Sequence, residues 1–226
     1  MTVIEFRTAP MCDVENTFGD DDTPCRTAKV STFTDDLPAD FDTRRFLSFL
    51  IRNGHGSPFE HAAMTFRLEI PVYVARQLMR HRIASYNEAS ARYTTLKPVF
   101  YLPGPERMLV QRGTHASCGW QAGSSELRED VRHILRNSAE DAWDSYEWML
   151  EAGVAREVAR AVLPLNVGTE LYVTMNLRAL SNFLHLRTDA HAQYEIRQVA
   201  DMMEAHFGAH FPVIHDLWAE NGRKPL

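Results

Sequence analysis

The stretch Met64-Thr-Phe-Arg-Leu-Glu-Ile70 decides the fold, because apolar and polar side chains alternate strictly along it. A side-chain period of two residues is typical of a strand that buries one face. Pro71 follows directly and suits the first turn of a helix, which apolar residues continue as far as Met79. A strand that leads straight into a helix indicates a protein of mixed α and β structure.

Patterns on either side of this strand predict more helix than sheet. We expect strands at 3–6 and 99–102, loops at 12–25 and 113–125, and helices at 42–53 (capped by Asp42), 127–153, 154–163, about 169–187 and about 190–207. The predicted fold class is therefore α/β (α+β mixed), a single helix-rich domain over residues 1–226 with an antiparallel sheet and long central helices. The helix that ends at Gly153 would be roughly 40 Å long at 1.5 Å per residue, which favours an oligomer.

Composition narrows the class of protein. The net charge of -6 and the pI of about 5.9 argue against a general nucleic-acid coat, which is usually basic. Cys12, Cys25 and Cys118 are widely spaced and form no CxxC pair, which fits a reducing cytoplasm and gives no disulfide or zinc framework. The sequence shows no signal peptide and no apolar run of membrane length, so we expect a cytoplasmic protein.

The segment from Arg80 to Tyr93 is the strongest candidate for a binding site. Its fourteen residues include three arginines, a histidine, two serines, an asparagine and a glutamate, a mixture unsuited to a core. Forked cations with hydroxyls suit a ligand that carries phosphates and a hydrogen-bonding ring. On one helix, Arg80 and Arg82 would diverge by about 200°, so either the helix ends here or two ligands are bound on two sides. The alternative is a solvated, charged helix end.

Two further sets of polar residues are candidates. The loop His55–His61 suits a binding edge, although His55, Glu60 and His61 could instead be metal ligands, with a spacing that matches no common zinc motif. In the C-terminal half, Arg156 and Arg160 lie one helical turn apart. On the predicted helix from Thr169, one face carries Asn176, Arg187 and His191, while Arg178 and Asn182 lie on another. His206 and His210 are better explained as an exposed helix end.

No nucleophile is evident. The chain has no G-x-S-x-G elbow, no Walker A sequence and no G-x-G-x-x-G loop. Cys118 lies in Ser-Cys-Gly-Trp without the basic neighbours that activate a thiolate. The sequence therefore indicates a protein that holds ligands which react with one another.

The segment Arg80–Tyr93 resembles the signature R-H-R-x-x-S-x-N-E-x-S-x-R-Y of the flavin-dependent thymidylate synthase family at every fixed position. The segments at 55–61, 156–164 and 182–193 also look like that family, in the same order. The resemblance implies an α/β homotetramer with active sites shared between subunits. It implies conversion of dUMP to dTMP, with carbon from 5,10-methylenetetrahydrofolate and reducing power from NADPH through FAD.

The resemblance also implies roles for individual residues. For dUMP it implies contacts from Gln77, Leu78, Met79, Arg80, Glu88, Ala89, Ser90, Ala91, Arg92, Arg160 and Arg187. For FAD it implies contacts from His55, Ser57, Glu60, Arg80, His81, Arg82, Ile83, Glu88, Asn176, Leu177, Arg178, Asn182 and His191. Arg187 would be the catalytic group, because a fixed guanidinium over the uracil ring favours ionisation at N3. No metal is expected, and Ser90 is expected to bind phosphate rather than act as a nucleophile.

Two other classes of function remain open from the residues alone. A non-catalytic nucleotide- or nucleic-acid-binding module could use the same arginines on phosphates, although the acidic balance of the chain weighs against it. A metal hydrolase could use His55, Glu60 and His61. A bound yellow cofactor that bleaches with NADPH, a shift of labelled DNA, or inhibition by a chelator would distinguish the three classes.

Overall fold

The computed structural model describes residues 2–32, 37–113 and 119–226, and within them the chain is mixed α/β with eight α-helices and an antiparallel sheet. The strands are β1 (Glu5–Arg7), β2 (Met11–Phe18), β3 (Ala63–Pro71), β4 (Ser85–Glu88), β5 (Val99–Tyr101), β6 (Val110–Arg112), β7 (Gly119–Gln121) and β8 (Gly168–Asn176). The helices are α1 (Thr23–Lys29), α2 (Thr43–Arg52), α3 (Val72–Leu78), α4 (Ser125–Glu151), α5 (Arg156–Ala159), α6 (Leu177–Arg187), α7 (Tyr194–His210) and α8 (Pro212–Glu220). Short 3-10 helices lie at Val30–Thr32, Ser57–His61 and Arg160–Val162.

The main sheet has four strands in the order β2-β3-β8-β4. The pairs β2–β3 and β4–β8 are antiparallel, and the β2–β3 register shifts between Val14 and Asn16. Along β3, every side chain from Met64 to Ile70 that the alternation predicts to be inward is fully buried. The predicted half-buried strand is therefore confirmed. Two smaller pairings are β1 with β5, which is parallel, and the β6–β7 hairpin, which is antiparallel.

The chain divides into two compact units. The first unit comprises Met1–Pro10, Ile70–Ala75 and Ala89–Thr169, and the second comprises Met11–Glu69, Arg76–Glu88 and Glu170–Leu226. In the first unit, α4 packs Trp143 and Tyr146 against Phe100, which forms an edge-on ring contact with Trp143 at 6.1 Å. Ser124 caps α4 by accepting a hydrogen bond from the Leu127 amide, as its position before an apolar stripe favours.

The second unit carries most of the buried apolar side chains of the helices. Asp42 caps α2 by accepting from the Arg45 amide, which confirms the predicted start of that helix. Phe207 on α7 packs against the Trp218 ring on α8 at 6.0 Å. This core supports the strand β8 and the helix α6 that follows it, and these two elements position the candidate site.

Four local predictions were wrong. Residues 12–25 are largely β2 and the start of α1, because β2 is an edge strand that leaves Asp13 and Glu15 exposed while Cys12 is buried. Residues 168–176 form strand β8 rather than helix, since their burial alternates with a period of two. Pro71 ends β3, and α3 begins one residue later. Gly119–Gln121 is a strand, whereas the rest of the predicted loop at 114–118, with Cys118, lies outside the described residues. The helix α8 was not predicted.

Candidate functional site

A cavity of about 860 Å³ opens in the second unit, within the range typical of small-molecule sites. It lies where the segment after α3 meets the first turns of α6. Its lining residues are Gly54, Glu60, Arg80, His81, Arg82, Ile83, Asn176, Arg178, Ala179, Asn182, Leu186, Arg187, Pro225 and Leu226. Nine of the residues predicted to bind FAD or dUMP therefore meet at one cavity, although they come from three separate stretches of the chain.

The segment that carries Arg80 and Arg82 turns away from α3 because the helix ends at Leu78. Tyr86 stabilises this turn, since its hydroxyl lies 2.9 Å from the main-chain oxygen of Leu78 and 2.8 Å from that of His81. Burial raises the pKa of Tyr86 to about 12, so the hydroxyl keeps its proton and donates it. Of the two sequence-based explanations for the divergent arginines, the structure shows the one in which the helix ends.

His81 and Arg187 form the central polar contact of the cavity. Arg187 Nε donates a hydrogen bond of 2.9 Å to His81 Nε2, so the imidazole must be neutral with its proton on Nδ1. Burial and the neighbouring guanidinium lower the pKa of His81 to about 4. The ring also packs edge-on against Phe183, with centroids 4.9 Å apart. Arg187 is thereby fixed through Nε by an uncharged partner, and it keeps its full positive charge.

The first turn of α6 supplies the opposite wall. Asn176 caps the helix, because its side-chain oxygen accepts a hydrogen bond from the Ala179 amide at 2.8 Å. Arg178 donates to Glu60 at 2.5 Å and to the main-chain oxygen of Leu226 at 3.2 Å. Asn182 lies one turn further along the helix and also lines the cavity.

The charges of the cavity are unbalanced. Four guanidinium groups line it, whereas Glu60 is the one acidic side chain among its lining residues, although the whole chain carries a net charge of -6. Within the described ranges, the side chains of Arg80 and Arg82 have no hydrogen-bond or ion-pair partner in the protein. Uncompensated guanidinium groups that converge on one cavity are the signature of an anion site.

Other predicted contacts lie outside the lining of this cavity. His55 and Ser57 are exposed at the start of the 3-10 helix, and His55 packs against the Phe49 ring at 5.7 Å. Leu177 is fully buried, and His191 is exposed and bonded to Asp189 at 2.8 Å through its amide. The roles of these four residues stay predictions.

Several predicted dUMP contacts also lie outside the lining. Gln77 is partly buried and bonds to the Gln193 side chain, Leu78 is fully buried, and Met79 is partly buried. Glu88 ends strand β4. Among them, only the main-chain oxygen of Leu78 has a described role near the cavity, in holding Tyr86.

The remaining predicted dUMP contacts belong to the first unit. Ala89, Ser90, Ala91 and Arg92 follow β4 in the chain, and Arg160 begins the 3-10 helix after α5. Arg92 forms an ion pair with Glu157 at 2.9 Å, and each side chain is 53% exposed. The Ser90 hydroxyl accepts from the Arg92 amide at 3.3 Å. Ala89, Arg92 and Arg160 are exposed, Ser90 is partly buried and Ala91 is buried, and Arg92 is partly neutralised by its partner.

Five lining residues were not predicted from the sequence: Gly54, Ala179, Leu186, Pro225 and Leu226. Gly54 and Ala179 neighbour predicted residues, so the motif could have indicated them. Pro225 and Leu226 carry no local signal, because they reach the cavity through the path of the chain after α8.

The other candidate chemistries find little support in the described part of the chain. No group of three or more His, Cys, Asp or Glu side chains in it could hold a metal ion. Cys12 and Cys25 are free and buried, and burial raises the pKa of each thiol to about 12, so neither is a ready nucleophile. His206 is partly buried and lies 3.2 Å from the main-chain oxygen of Cys12, whereas His210 is exposed. Among the described helices, none combines the length and the apolar character that a membrane span requires.

Comparison with known proteins decides the family. Residues 14–213 match the family described as thymidylate synthase complementing protein. The flavin-dependent thymidylate synthase of Tropheryma whipplei (strain TW08/27) is 44% identical over 184 residues, which cover 78% of this chain and 77% of that protein. That of Streptomyces avermitilis is 41% identical over 209 residues, which cover 87% and 85%. The chain belongs to the flavin-dependent thymidylate synthase family. The resemblance in the signature at 80–93 is thereby confirmed.

Solved structures agree with this assignment. A UMP/dUMP methylase, PolB, from Streptomyces cacaoi bound with 5-Br UMP has a TM-score of 0.92 and 36% identity, with 99% of each chain covered. The same methylase bound with 5-Br dUMP gives a TM-score of 0.90 and 37% identity. As a member of the flavin-dependent thymidylate synthase family, the chain is a flavoenzyme of the methyltransferase class.

The cavity in the second unit fits the flavin that the family uses. FAD carries two phosphate charges, and the unpaired guanidinium groups of Arg80 and Arg82 provide matching donors. Gly56 leaves room for the Arg178 side chain, because a Cβ added there would lie 2.7 Å from Arg178 Nε. The donor set and the size of the cavity therefore suit a large, doubly charged, ring-bearing cofactor.

Proposed function

We propose that this member of the family makes dTMP from dUMP, taking the methylene carbon from 5,10-methylenetetrahydrofolate and reducing equivalents from NADPH through FAD. The observation that carries the proposal is the cavity in the second unit, on which the guanidinium groups of Arg80, Arg82 and Arg187 converge without an acidic partner among the described residues. The matches to named flavin-dependent thymidylate synthases and to a UMP/dUMP methylase support the same reaction.

FAD is proposed to occupy the cavity between the Arg80–Ile83 segment and the first turns of α6. Arg80, Arg82 and Arg178 would bind its phosphates, and Asn182 would hydrogen-bond to a ring or sugar. When bound, the flavin supplies the hydride transfer, whereas the protein supplies position and charge. His55, Ser57 and His191, exposed near the ends of their elements, would complete the site in the assembled enzyme.

Arg187 is proposed to act on the pyrimidine. Because its Nε is fixed by neutral His81, the two terminal nitrogens are left without partners among the described residues. They can donate to the uracil ring and stabilise negative charge that develops at N3. A more anionic ring has more electron density at C5, which can then form a bond to the methylene carbon while a folate nitrogen takes the electron pair of its bond to that carbon. C5 loses its proton afterwards, and no cysteine adduct is needed. The inert thiols of Cys12 and Cys25 agree with such a route.

Ser90, Arg92 and Arg160 are proposed to bind the nucleotide phosphate. Ser90 is partly buried and offers a hydroxyl, and Arg92 keeps one terminal edge exposed beside Glu157. A hydroxyl and two guanidinium groups are common partners of a phosphate monoester. Ser90 has no described hydrogen bond to a histidine that could activate it, which supports a binding role rather than a nucleophilic one.

The enzyme is proposed to be a cytoplasmic homotetramer with active sites shared between subunits. Leu127, Ile134 and Trp148 lie at multiples of seven residues on one face of α4, and they are 39%, 64% and 67% exposed. Such an apolar stripe on a long helix suits contact with a second copy of the chain. Trp148→Glu should reduce the mass measured by light scattering, whereas Glu129→Lys, at an exposed position on another face, should not. An unchanged mass for Trp148→Glu would contradict the use of this face.

The reaction is tested most simply by anaerobic incubation of the protein with FAD, dUMP, methylenetetrahydrofolate and NADPH. We expect dTMP to form, and we expect no product when any one component is omitted. A parallel incubation with UMP measures the preference for deoxyribose, since the solved relative is described as a methylase of both nucleotides. Absence of dTMP from a protein that binds FAD would contradict the proposed function.

A further inference from the structure

The segment that follows α8 takes an unusual path to the cavity of the second unit. Gly222 and Arg223 both have positive φ angles, of 72° and 57°, so the chain reverses directly after the helix. Arg223 is the only non-glycine residue with positive φ within the described ranges. Its guanidinium lies over the Trp218 ring at 5.0 Å and forms an ion pair with Glu204, which fixes the reversal.

The reversal brings Leu226 to a closed set of hydrogen bonds on α6. The Leu226 amide donates to the Ser181 hydroxyl at 2.9 Å, and that hydroxyl donates to the main-chain oxygen of Arg178 at 2.8 Å. Arg178 Nε then donates to the main-chain oxygen of Leu226 at 3.2 Å. The chain after α8 and the first turn of α6 are therefore joined in both directions.

The groups that join Leu226 to α6 are buried, so their hydrogen bonds are part of the folded core. Ser181 is fully buried and is one of two buried polar residues in the described chain, and Leu226 is 7% exposed. If the Ser181 hydroxyl were removed, the buried Leu226 amide would have no acceptor, which is costly. Gly56 permits the approach, because a Cβ there would lie 2.7 Å from Arg178 Nε and 2.9 Å from the Leu226 oxygen.

The consequence falls on Arg178, which lines the cavity. Glu60 holds its Nη1 and Leu226 holds its Nε, so the guanidinium plane is fixed from two sides. Its Nη2 has no partner among the residues that the structure describes. A guanidinium fixed in this way donates to an anion with less loss of side-chain entropy than a free one.

We propose that the segment 221–226, together with Ser181 and Gly56, is a positioning element of the flavin pocket: it holds Arg178 in the orientation that binds the cofactor phosphates. Pro225 and Leu226 also form part of the wall. The role rests on the proposed placement of FAD in this cavity. Ser181, Gly56 and Leu226 are positioning residues, since they act through Arg178.

The test is a titration of FAD into the apo form of the full chain, followed by flavin fluorescence. Ser181→Ala and Gly56→Ala should each raise the Kd for FAD by about tenfold or more. Gly119→Ala is the matched control, because nothing lies within 4 Å of a Cβ at that position, and its Kd should stay within about twofold of wild type. At saturating FAD, the KM for the nucleotide should be unchanged in all three variants, a result that general damage to the fold would not give.

Hydrogen–deuterium exchange separates this inference from the placement on which it rests. In the wild type, FAD should protect the amides of residues 80–83 and 178–187, and the Leu226 amide should exchange faster in Ser181→Ala. If FAD protects those amides but both variants bind it as tightly as wild type, the positioning role is overturned. If FAD gives no such protection, the placement of the cofactor itself is wrong, and the positioning role is overturned with it.

Discussion

Two arginines in this enzyme are held in opposite ways. In the second unit, Arg187 is held by the neutral ring of His81 at 2.9 Å, whereas in the first unit Arg92 is held by the carboxylate of Glu157 at 2.9 Å. A neutral acceptor orients a guanidinium and leaves its charge available, but a carboxylate also cancels the charge. The comparison indicates that the charge of Arg187 is available to stabilise an anion. The guanidinium of Arg92 must instead interact with both Glu157 and a ligand.

The largest expected effect comes from removing the arginine with the neutral partner. Arg187→Ala should lower kcat/KM for the nucleotide by about 10²- to 10³-fold, as for the loss of one preorganised donor to a developing anion. FAD should remain bound, because Arg80, Arg82 and Arg178 are untouched. Steady-state kinetics with flavin absorbance checks both statements. Arg187→Lys should recover only part of the rate, because a lysine lacks the planar, forked set of donors that His81 holds in place.

Release of flavin by Arg187→Ala, with the protein still folded, would show that this arginine serves the cofactor rather than the pyrimidine. In that case, the neutral partner of Arg187 would no longer indicate a role on the pyrimidine that distinguishes it from Arg92.

The next effect tests the neutrality of His81. Its pKa is about 4 in the folded enzyme and 6.5 in its ordinary state, so between these values the unfolded chain binds more protons. The free energy of unfolding should therefore fall as the pH drops from about 6.5 to about 4. The loss should be smaller than the full displacement of the pKa suggests, because the ring is only partly buried.

Thermal unfolding measured across this pH range, in wild type and in His81→Gln, isolates the contribution of His81. The glutamine oxygen can still accept from Arg187, but it does not titrate, so the variant should lose less stability over the same interval. Parallel curves for the two proteins would show that His81 is not neutral in the way the geometry requires.

The two arginines also lie in elements that the sequence predicted with different success. Strand β3 was predicted correctly because its alternation is free of charges on the buried face, and the signature at 80–93 indicated the cavity residues beside it. Strand β8 has the same alternation of burial, yet the sequence predicted a helix there, because the apolar residues after Thr169 also fit a helical period. Pairing with β3 in the sheet selects the strand over the helix, and the local sequence pattern does not indicate that pairing.

The site shows the same limit. Arg80 and His81 could be predicted because the family signature names them, and Asn182 because it begins the family-like segment at 182–193, but the His81–Arg187 bond joins residues 106 positions apart. Leu226 had no signal at all, since its role depends on the reversal at Gly222 and Arg223. The contacts that depend on how the backbone folds back were therefore the part of the site that could not be predicted from the sequence.

A smaller effect is expected for Ser90, which neighbours Arg92. Ser90→Ala should keep measurable turnover and raise the KM for the nucleotide by roughly 10- to 10²-fold, as the loss of one hydrogen bond to a charged phosphate predicts. Initial rates at several dUMP concentrations measure it. Complete loss of chemistry with dUMP still bound would mean that Ser90 takes part in the reaction rather than in binding.

The smallest effect is expected when the carboxylate that holds Arg92 is removed. Glu157→Gln should change nucleotide affinity and stability by less than about 1 kcal/mol each, because the pair is exposed on both sides. Affinity should rise slightly, since Arg92 would no longer be shared, and the change should shrink in high salt. Glu106→Gln removes one exposed negative charge away from this pair and serves as the control. A large gain in affinity for Glu157→Gln alone would show that the carboxylate blocks the phosphate site.

The most direct test of the central claim is a crystal structure of the enzyme with FAD and dUMP bound. We expect the FAD phosphates to lie within hydrogen-bonding distance of the Arg80, Arg82 or Arg178 side chains. We also expect the uracil ring to receive a hydrogen bond from Arg187, whose Nε still donates to neutral His81. A structure in which both ligands bind elsewhere, with these four arginines directed into solvent, would contradict the central claim.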